Sequence, residues 1–448
     1  MSGWITETTK DLIDQGFLEI GDGYRAKNSE MAPEGVPFVR AGDVAGRVNT
    51  TGTDRLSFDS VAKVGRKRAM PGDVVMTTKG TIGRLAFVKS GDPEFIYSPQ
   101  LCFWRSLNRE VIDPRWLFFA MEGPEMLDQI SWSAGQTDMA PYVSLTDQRT
   151  AFKLTLPPIS EQREIASILG ALDDKIELNR RMAATLEEMA RALYRSWFVD
   201  FDPVKAKVEG LAPAFMDEAT AALFPDRFGE DGLPEGWSLR SLGEFFKFQR
   251  GLSYKGKFLT EVGAPMINLG CFKGGGGFDS AKIKNYSGET KERNWVQPGD
   301  LVFANTDMTQ NRLILGSPHV VEGDSNEAFL YSHHVFAARP TTTESRLWTR
   351  FIFFQLLQPE FRERAEGFAT GTTVLFLPAD AAEALSFAAP DLRLVQAFND
   401  KMASWLERSK DLRSENRTLA DLRDTLLPKL MSGELRVGEA RDQIEEVA

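Results

Sequence analysis

The chain has 448 residues, of which 42% are hydrophobic and 26% charged, a composition typical of a globular protein too long for one hydrophobic core. Two cysteines and three histidines exclude a disulfide framework and a cysteine-based zinc site, and the lack of a long apolar run or signal peptide predicts a cytoplasmic protein without a membrane span. The net charge of −11 argues against a nucleic-acid binder that is basic throughout, although its distribution leaves that function open.

Residues 1–156 predict a first globular domain of mixed α and β structure. A turn at Pro71-Gly72-Asp73 leads into a run of β-forming residues from Val74 to Thr78. A helix is expected over 116–121, and Gly135-Gln136-Thr137 is typical of a loop. Acidic and basic side chains nearly balance in this block.

Residues 157–201 predict one long helix, which begins at Pro157-Pro158 and Ser160 because proline and serine favour the first turn. From Ser160 to Phe198 it would span about 60 Å. Apolar residues recur every seven positions in two rows, which favours a coiled coil over a core helix of one large domain. The predicted seam comprises Ile165, Ile168, Leu172, Asn179, Met182, Leu186, Met189 and Leu193.

Residues 202–235 are rich in proline, glycine, alanine and acidic side chains, which is typical of a linker with a short helix. Residues 157–235 hold sixteen acidic against nine basic side chains, so most of the net negative charge lies on the long helix and this linker. The globular blocks are therefore close to neutral, and each can present a basic face.

Residues 236–390 repeat the first block in the same order. Gly236-Trp237 corresponds to Gly3-Trp4, and Pro298-Gly299-Asp300 corresponds to Pro71-Gly72-Asp73. Further matches follow through the strand-like and helical segments, so the chain is an internal duplication.

Residues 391–430 predict a second long helix that ends at Pro428, followed by a tail over 431–448 that is acidic and frayed after Gly438. The two long helices are expected to pack antiparallel on each other. Asn179 and Asn416 either fix the register from within the seam or lie in water at its edge. The seam of the second helix comprises Phe398, Met402, Trp405, Leu412, Leu419 and Leu426.

The predicted fold class is therefore α+β. Two similar, mixed α/β domains are separated by two long helices that form an antiparallel coiled coil, with an internal pseudo-twofold repeat. The predicted boundaries are 1–156, 157–201, 202–235, 236–390, 391–430 and 431–448.

The sequence contains no phosphate-binding loop, dinucleotide fingerprint, nucleophile elbow or zinc-protease helix, so no catalytic residue and no metal ligand is assigned. One nuclease-like spacing exists, Asp279 followed by Glu289 and Lys291, but the corresponding part of the first block lacks it. A binding protein is favoured over a nuclease, and a helical scaffold without a DNA role is the third alternative.

Two similar domains separated by a rigid rod suit a linear ligand, and the major groove of DNA returns to the same side about every 34 Å. Arg and Lys can hydrogen bond to guanine, and Asn and Gln to adenine. Each such side chain is individually more often a solvated surface residue, and only the set forms a prediction. The candidate DNA-binding residues are Arg66, Lys67, Arg68, Lys79, Arg84 and Gln136 in the first block, and Arg250, Lys255, Lys257, Lys273, Asn305, Gln310, Asn311, Arg312 and Thr372 in the second.

Four stretches of the chain resemble motifs of type I restriction-modification specificity subunits, and they occur in the same order as in that family. The stretches are Leu156 to Ala166, Ala192 to Phe198, Leu233 to Trp237 and Leu422 to Leu435. The resemblance covers essentially the whole chain. It implies that 1–156 and 236–390 are target recognition domains, each of which reads one half of a bipartite double-stranded DNA target, and that the long helices set the gap.

The resemblance further implies a non-catalytic, cytoplasmic subunit of a restriction endonuclease and adenine methyltransferase complex that defends against foreign DNA. It implies two methyltransferase subunits docked on the long helices, and restriction/translocase subunits in the full complex. No cofactor is expected in this chain, and S-adenosylmethionine is expected in the methyltransferase subunits. The alternatives are the specificity subunit of a related single-complex cut-and-methylate system and a stand-alone metal-dependent nuclease.

Overall fold

A computed structural model describes residues 3–136, 141–308, 313–324, 326–371 and 374–445, and it divides into two units. Unit 1 comprises residues 1–181 and 412–448, and unit 2 comprises residues 182–411. Unit 1 is therefore built from both ends of the chain. Across the described ranges, no helix is both long enough and apolar enough to cross a membrane.

The globular part of unit 1 contains two four-stranded sheets and a two-stranded ribbon. Its elements are β1 (Ile5–Thr8), α1 (Thr9–Asp14), β2 (Leu18–Asp22), β3 (Met31–Ala32), β4 (Val36–Val39), β5 (Arg55–Leu56), α2 (Phe58–Val61), β6 (Val74–Thr77), β7 (Leu85–Phe87), β8 (Ile96–Tyr97), β9 (Leu101–Ser106), α3 (Pro114–Glu122), α4 (Pro124–Ala134), α5 (Leu145–Thr150) and β10 (Lys153–Leu156), followed by the long helix α6 (Ile159–Phe198). One sheet has the antiparallel order β2-β9-β6-β7, and the other has the order β3-β5-β4-β8 with β4 and β8 parallel. Strand β1 pairs with β10.

The core of unit 1 lies between the β2-β9-β6-β7 sheet and the helices that cover it. Helix α3 begins where Asp113 accepts hydrogen bonds from the backbone N–H groups of Arg115 and Trp116, with Pro114 in the first turn. The helix then buries Leu117 and Phe119. The same hydrophobic cluster includes residues from the start of α6 and from the last part of the chain.

Unit 2 repeats this arrangement. Its elements and those of the linker are α7 (Asp202–Val208), α8 (Glu218–Ala222), β11 (Ser238–Ser241), α9 (Leu242–Phe245), β12 (Phe246–Arg250), β13 (Leu259–Thr260), β14 (Ala264–Ile267), β15 (Lys284–Tyr286), β16 (Trp295–Val296), β17 (Leu301–Ala304), β18 (Thr306–Asp307), β19 (Pro318–Val320), β20 (Phe329–Tyr331), β21 (Val335–Pro340), α10 (Thr349–Leu356), α11 (Pro359–Gly367), β22 (Leu375–Phe376), α12 (Ala379–Ala384) and β23 (Ser386–Ala389). The order β12-β21-β17-β19 corresponds to the antiparallel sheet of unit 1, and β11 pairs with β23 as β1 pairs with β10. The predicted duplication is confirmed at the level of sheet order.

The repeated Pro-Gly-Asp turn has one physical role in both units. Gly72 and Gly299 adopt φ values of +98° and +94°, a conformation that side chains with a Cβ rarely tolerate. The aspartate that follows pairs with an arginine on the central strand of the sheet. In unit 1, Asp73 lies 2.6 Å from Arg105 and accepts a hydrogen bond of 2.7 Å from the hydroxyl of Tyr97. In unit 2, Asp300 lies 3.2 Å from Arg339.

Two 40-residue helices, α6 and α13 (Leu392–Met431), pack against each other within each unit. In unit 1, Asp173 lies 2.7 Å from Arg423 and Lys175 lies 3.2 Å from Glu415. Residue numbers rise along one helix as they fall along the other, so the pairing is antiparallel. The predicted antiparallel arrangement is confirmed here.

The same direction holds in unit 2. Ser409 donates a hydrogen bond of 3.1 Å to Glu187, and the rings of Tyr194 and Phe398 lie 5.6 Å apart. Aromatic residues dominate this contact, because Tyr194, Trp197 and Phe198 surround Phe398.

Part of the predicted seam of α6 is wrong by one residue. Met182 and Met189 are 39% and 44% exposed, whereas Ala183 and Ala190 are buried. One row of the seam repeats every seven residues from Ile165. The second row begins four residues after Ile165 and not three, because that choice places small and apolar side chains against α13. Of the other predicted seam residues, Ile165, Ile168, Leu172, Asn179, Phe398, Met402, Leu412 and Leu426 are buried, and Leu186, Leu193, Trp405 and Leu419 are half-buried.

Asn179 lies inside the seam and not at its edge. It is 1% exposed, and neither polar atom of its side chain has a hydrogen-bond partner among the described residues. Asn416 is half-buried, and its amide donates to the carbonyl of Ile176 at 3.1 Å. A role of these two side chains in fixing the register stays a prediction.

Two predictions about the end of the chain are wrong. Helix α13 continues past Pro428 to Met431, because Leu427 and Leu430 on either side of the proline are buried in the core of unit 1. The tail predicted to be frayed contains helix α14 (Val437–Glu445), and its residue Ala440 is fully buried in the same core.

Candidate nucleic-acid interface

The basic run at residues 66–68 is neutralised within unit 1. All three side chains form ion pairs with neighbouring carboxylates, which reduces the charge that they can offer to a phosphate. The pairs are Arg66 with Glu19 (3.2 Å), Lys67 with Asp22 (2.9 Å) and Arg68 with Glu94. Exposed pairs of this kind are weak, so DNA can still compete for these residues.

Lys79, Arg84 and Gln136 are all exposed in unit 1. Lys79 and Arg84 lie on the turn between β6 and β7, and Gln136 follows the end of α4. The turn approaches α4 at Gly83. Lys79 also forms a β-bridge with Tyr142, and its Nζ lies 5.9 Å from the ring centroid. Within the described part of unit 1, neither Lys79 nor Arg84 forms an ion pair with a carboxylate.

Two exposed aromatic residues of unit 1 were not predicted from the sequence. Trp132 is 52% exposed on α4, and Tyr142 is 39% exposed beside Lys79. Helix α4 buries Met126 and Ile130, so its 3.6-residue period places Trp132 outwards. The helical period of the sequence could therefore have predicted that Trp132 is exposed. An aromatic ring next to an unpaired cation, as Tyr142 is next to Lys79, suits contact with nucleic acid, because it can cover apolar base surface or sugar.

In unit 2, Arg250 lies at the end of β12. Its Nε donates to the carbonyl of His333 at 2.8 Å, and its guanidinium lies 4.9 Å from the ring centroid of Phe376. Lys255 and Lys257 are exposed on the following segment, and Lys257 lies 4.9 Å from the ring of Phe258. These three cations form no ion pair with a carboxylate within the described residues of unit 2.

Asn305 is wrong as a candidate base contact. It is fully buried: its amide donates to the carbonyl of His333 at 3.2 Å, and its side-chain oxygen accepts from the hydroxyl of Thr306 at 2.7 Å. Both of its functional groups are therefore used inside the fold, which the sequence alone does not show.

His333 and His334 lie beside Arg250 and stay uncharged at neutral pH. Burial lowers the pKa of His333, and the charge of Arg250 lowers it further. Burial also lowers the pKa of His334 to about 4, with smaller contributions from His333 and Arg250. His334 Nδ1 lies 3.1 Å from the hydroxyl of Thr306. This pair can supply hydrogen bonds to a ligand at neutral pH but no positive charge.

The nuclease-like residues have structural partners. Asp279 accepts a hydrogen bond from the backbone N–H of Ala281 and forms an ion pair of 3.1 Å with Lys273, another candidate DNA contact. In the part of the chain that the structure describes, no group of three or more His, Cys, Asp or Glu side chains is placed to hold a metal ion. Gln310, Asn311, Arg312 and Thr372 lie outside the described residues.

A known family model matches the first part of the chain. The model of the type I restriction modification DNA specificity domain matches residues 2–188, which contain the globular part of unit 1 and most of α6.

Individual relatives cover more of the chain. The type I restriction enzyme HindI specificity subunit of Haemophilus influenzae is 24% identical over 407 residues, which are 79% of this chain and 84% of that protein. The type I restriction enzyme MjaIX specificity subunit of Methanocaldococcus jannaschii is 19% identical over 441 residues, 96% of this chain and 94% of that one. A crystal structure of the type I restriction-modification S subunit from M. genitalium has a TM-score of 0.54 at 16% identity and covers 96% of both chains, which shows a shared fold.

Proposed function

Since this chain belongs to the specificity subunits of type I restriction-modification enzymes, the non-catalytic DNA-recognition components of those complexes, we propose that it recognises a DNA target in two separate parts. Residues 1–156 would read one half and residues 236–390 the other. The DNA-recognition role belongs to the family, and the duplicated architecture of this chain supports the division of the target between two domains.

The internal repeat is the observation that carries the proposal. Both units contain the same antiparallel sheet, the same Pro-Gly-Asp turn and the same arginine–aspartate pair, which is buried in unit 1 and half-buried in unit 2. Each unit also presents exposed cations that no carboxylate neutralises within its described residues: Lys79 and Arg84 in unit 1, and Arg250 in unit 2. Two domains with the same fold are suited to bind two similar segments of one DNA molecule.

The long helices suit the role of spacer. Each has 40 residues, which corresponds to about 60 Å of helix, between one and two turns of DNA. Residues 157–235 carry an excess of acidic side chains, so this stretch is poorly suited to contact phosphates. It is better suited to bind protein partners, and we assign it, with α13, to two methyltransferase subunits.

In this assignment the adenine methylation chemistry and its cofactor, S-adenosylmethionine, belong to the methyltransferase subunits. Those subunits would also neutralise much of the phosphate charge, which accounts for a DNA-recognition chain with a net charge of −11. Restriction/translocase subunits would join the full complex, and the chromosomal and invading DNA that it reads implies a cytoplasmic location.

The test is to co-express the chain with its methyltransferase subunit and to map methylated adenines across the host genome. We expect one motif with two specified halves and a fixed, unspecified gap. Two variants refine the test: Lys79→Ala should weaken or relax one half, and Lys255→Ala the other, by about 1–3 kcal/mol per lost base contact.

A continuous motif, or no motif from an active methyltransferase complex, would contradict recognition in two parts. If each single variant altered both halves, the division of labour between the units would be wrong. Because Lys79 and Lys255 are exposed, both variants are expected to fold, which thermal denaturation verifies.

A further inference from the structure

Unit 1 contains a cavity of about 240 Å³ beside the end of α13. Its lining is largely apolar and includes Trp4, Trp116, Ala120, Gly123 and Met431. An engineered apolar cavity of about 150 Å³ in another protein is large enough to bind benzene. The cavity in unit 1 can therefore hold a complete aromatic ring.

One buried donor at this cavity lacks an acceptor. Trp116 lines the cavity and is only 2% exposed, and its indole N–H has no hydrogen-bond partner among the described residues. The other tryptophan of the lining is different, because the indole N–H of Trp4 donates to Glu161 at 3.0 Å. Buried polar groups are normally satisfied, so Trp116 indicates a missing acceptor.

Unit 2 has an aromatic ring at the corresponding place. The ring of Tyr194, on α6, lies 5.1 Å from Phe351 and 5.7 Å from Phe354 of α10. Its hydroxyl donates a hydrogen bond of 2.7 Å to Gln355. The phenol is fully buried and forms the centre of the contact between α10 and the long helices.

The internal repeat identifies the residues of unit 1 that correspond to this aromatic contact in unit 2. Helices α3 and α10 align on their shared Phe-Phe pair, which places Trp116 in the position of Phe351. The same alignment places Ala120 where unit 2 has a glutamine. The long helices align on their shared asparagine, and Met431 then occupies the position of Tyr194. Unit 1 thus lacks the phenol and the amide that fill this place in unit 2, and the three residues that stand there line the cavity.

We infer that the cavity of unit 1 is a receptor for one phenolic side chain, a tyrosine of the methyltransferase subunit that docks on this unit. The ring would meet Trp116 edge to face, as Tyr194 meets Phe351 in unit 2, and its oxygen would accept the unused indole hydrogen. Tyrosine is enriched among the residues that anchor protein interfaces by filling a pocket. The ligand class follows from the repeat, and the choice of partner rests on the proposed function.

The first test uses p-cresol, the side-chain analogue of tyrosine, on the full chain. We expect saturable binding that perturbs tryptophan fluorescence, and at least severalfold weaker binding of toluene, which lacks the hydroxyl. Met431→Tyr should fill the cavity from within, abolish p-cresol binding and raise the melting temperature. Met189→Tyr, on an exposed face of α6, is the matched control and should leave p-cresol binding unchanged.

The second test measures assembly with the methyltransferase subunit by co-purification and titration. Met431→Tyr should weaken assembly at least tenfold, whereas Met189→Tyr should not. Unchanged assembly in the filled variant would overturn the partner assignment, and a chain dimer that Met431→Tyr dissociates would replace it with a second copy. No saturable p-cresol binding by the folded wild-type chain would overturn the receptor itself. If the wild-type chain bound no methyltransferase subunit, the proposed function would fail, and p-cresol binding would still decide the ligand class.

Discussion

Glu122, near the end of α3, is a carboxylate in an unfavourable place. Burial raises its pKa to about 7, and the nearby carboxylates of Asp173 and Asp424 raise it while the guanidinium of Arg423 lowers it. Arg423 is occupied elsewhere, because it lies 2.7 Å from each of those aspartates. Glu122 is thus the one member of this group left without a close cation within the described residues.

This shift predicts a pH-dependent stability. The folded pKa of Glu122 lies above the unfolded value, so the folded state binds its proton more tightly. The free energy of unfolding should fall as pH rises from about 4.5 to about 7. Glu122→Gln removes this loss and should stabilise unit 1 at pH 8 by about 1–2 kcal/mol after allowance for partial exposure, with little effect near pH 4.5.

Chemical denaturation of both proteins at the two pH values measures the difference. Leu127→Gln, on the exposed face of α4, changes no titratable group and is the control; it should change stability equally at both pH values. A constant difference for Glu122→Gln would contradict the raised pKa.

The candidate site shows what single residues reveal from sequence alone. Lys79 and Arg84 could be predicted as exposed cations because they follow a turn after a buried strand. Asn305 occupies a similar place after β17, yet its amide donates to the carbonyl of His333, on the turn between β20 and β21. That contact depends on long-range packing, which no local pattern encodes. The exposure of Trp132, in contrast, could be predicted from the sequence, because it follows from the helical period of α4.

At the scale of the helix, the heptad choice decides which face of α6 meets α13. From the row of Ile165 and Leu172, a companion row can lie three or four residues on. The four-residue choice gives Leu169, Ile176, Ala183, Ala190 and Trp197, of which all are buried. The existence and direction of the helix pair were predictable from the repeat. The register was also present in the sequence, because the three-residue row contains Lys175 and Ser196.

A pair of adjacent substitutions tests this register. Ala190 is fully buried between the helices, so Ala190→Asp buries an unpaired charge and should cost about 3 kcal/mol or more. Met189→Asp places the same charge in solvent and should change stability by about 0.5 kcal/mol or less.

Differential scanning calorimetry can compare the two variants with the wild type. If the two aspartates destabilised the chain equally, or if Met189→Asp were the worse variant, the four-residue register would be wrong.

At the scale of the whole molecule, the order of domains and the duplication were predictable because the same motifs recur in the same order. The helical structure of residues 437–445 was not predictable. Val437, Ala440 and Ile444 lie on one face of α14 and contact the core of unit 1, although their segment is acidic and polar overall. Composition indicated a frayed tail, and only the core shows why it is helical: α13 delivers this segment directly to an apolar surface.

The spacer role predicts how the recognised gap responds to helix length. Seven residues inserted into each long helix, after Thr185 in α6 and after Lys410 in α13, preserve the seam and lengthen the pair by about 10 Å. At about 3.4 Å for each base pair, the gap should grow by about three base pairs. Both half-sequences should stay unchanged.

Methylation mapping of the insertion variant measures the new gap. Seven residues inserted after Gly210, in the linker outside the paired helices, are the control and should leave the gap as it is. A changed half-sequence, or an unchanged gap with an active complex, would contradict the spacer role.

The division of unit 1 between both ends of the chain reverses the order of folding during synthesis. All residues of unit 2 leave the ribosome before residue 412, so its core can close first. The core of unit 1 needs Leu426, Leu430 and Ala440 and cannot close until these residues have been synthesised. Its strands, although made first, must wait with apolar surface exposed. In the nascent chain, the strands of unit 1 are therefore the segment that most needs a chaperone, although they are synthesised before unit 2.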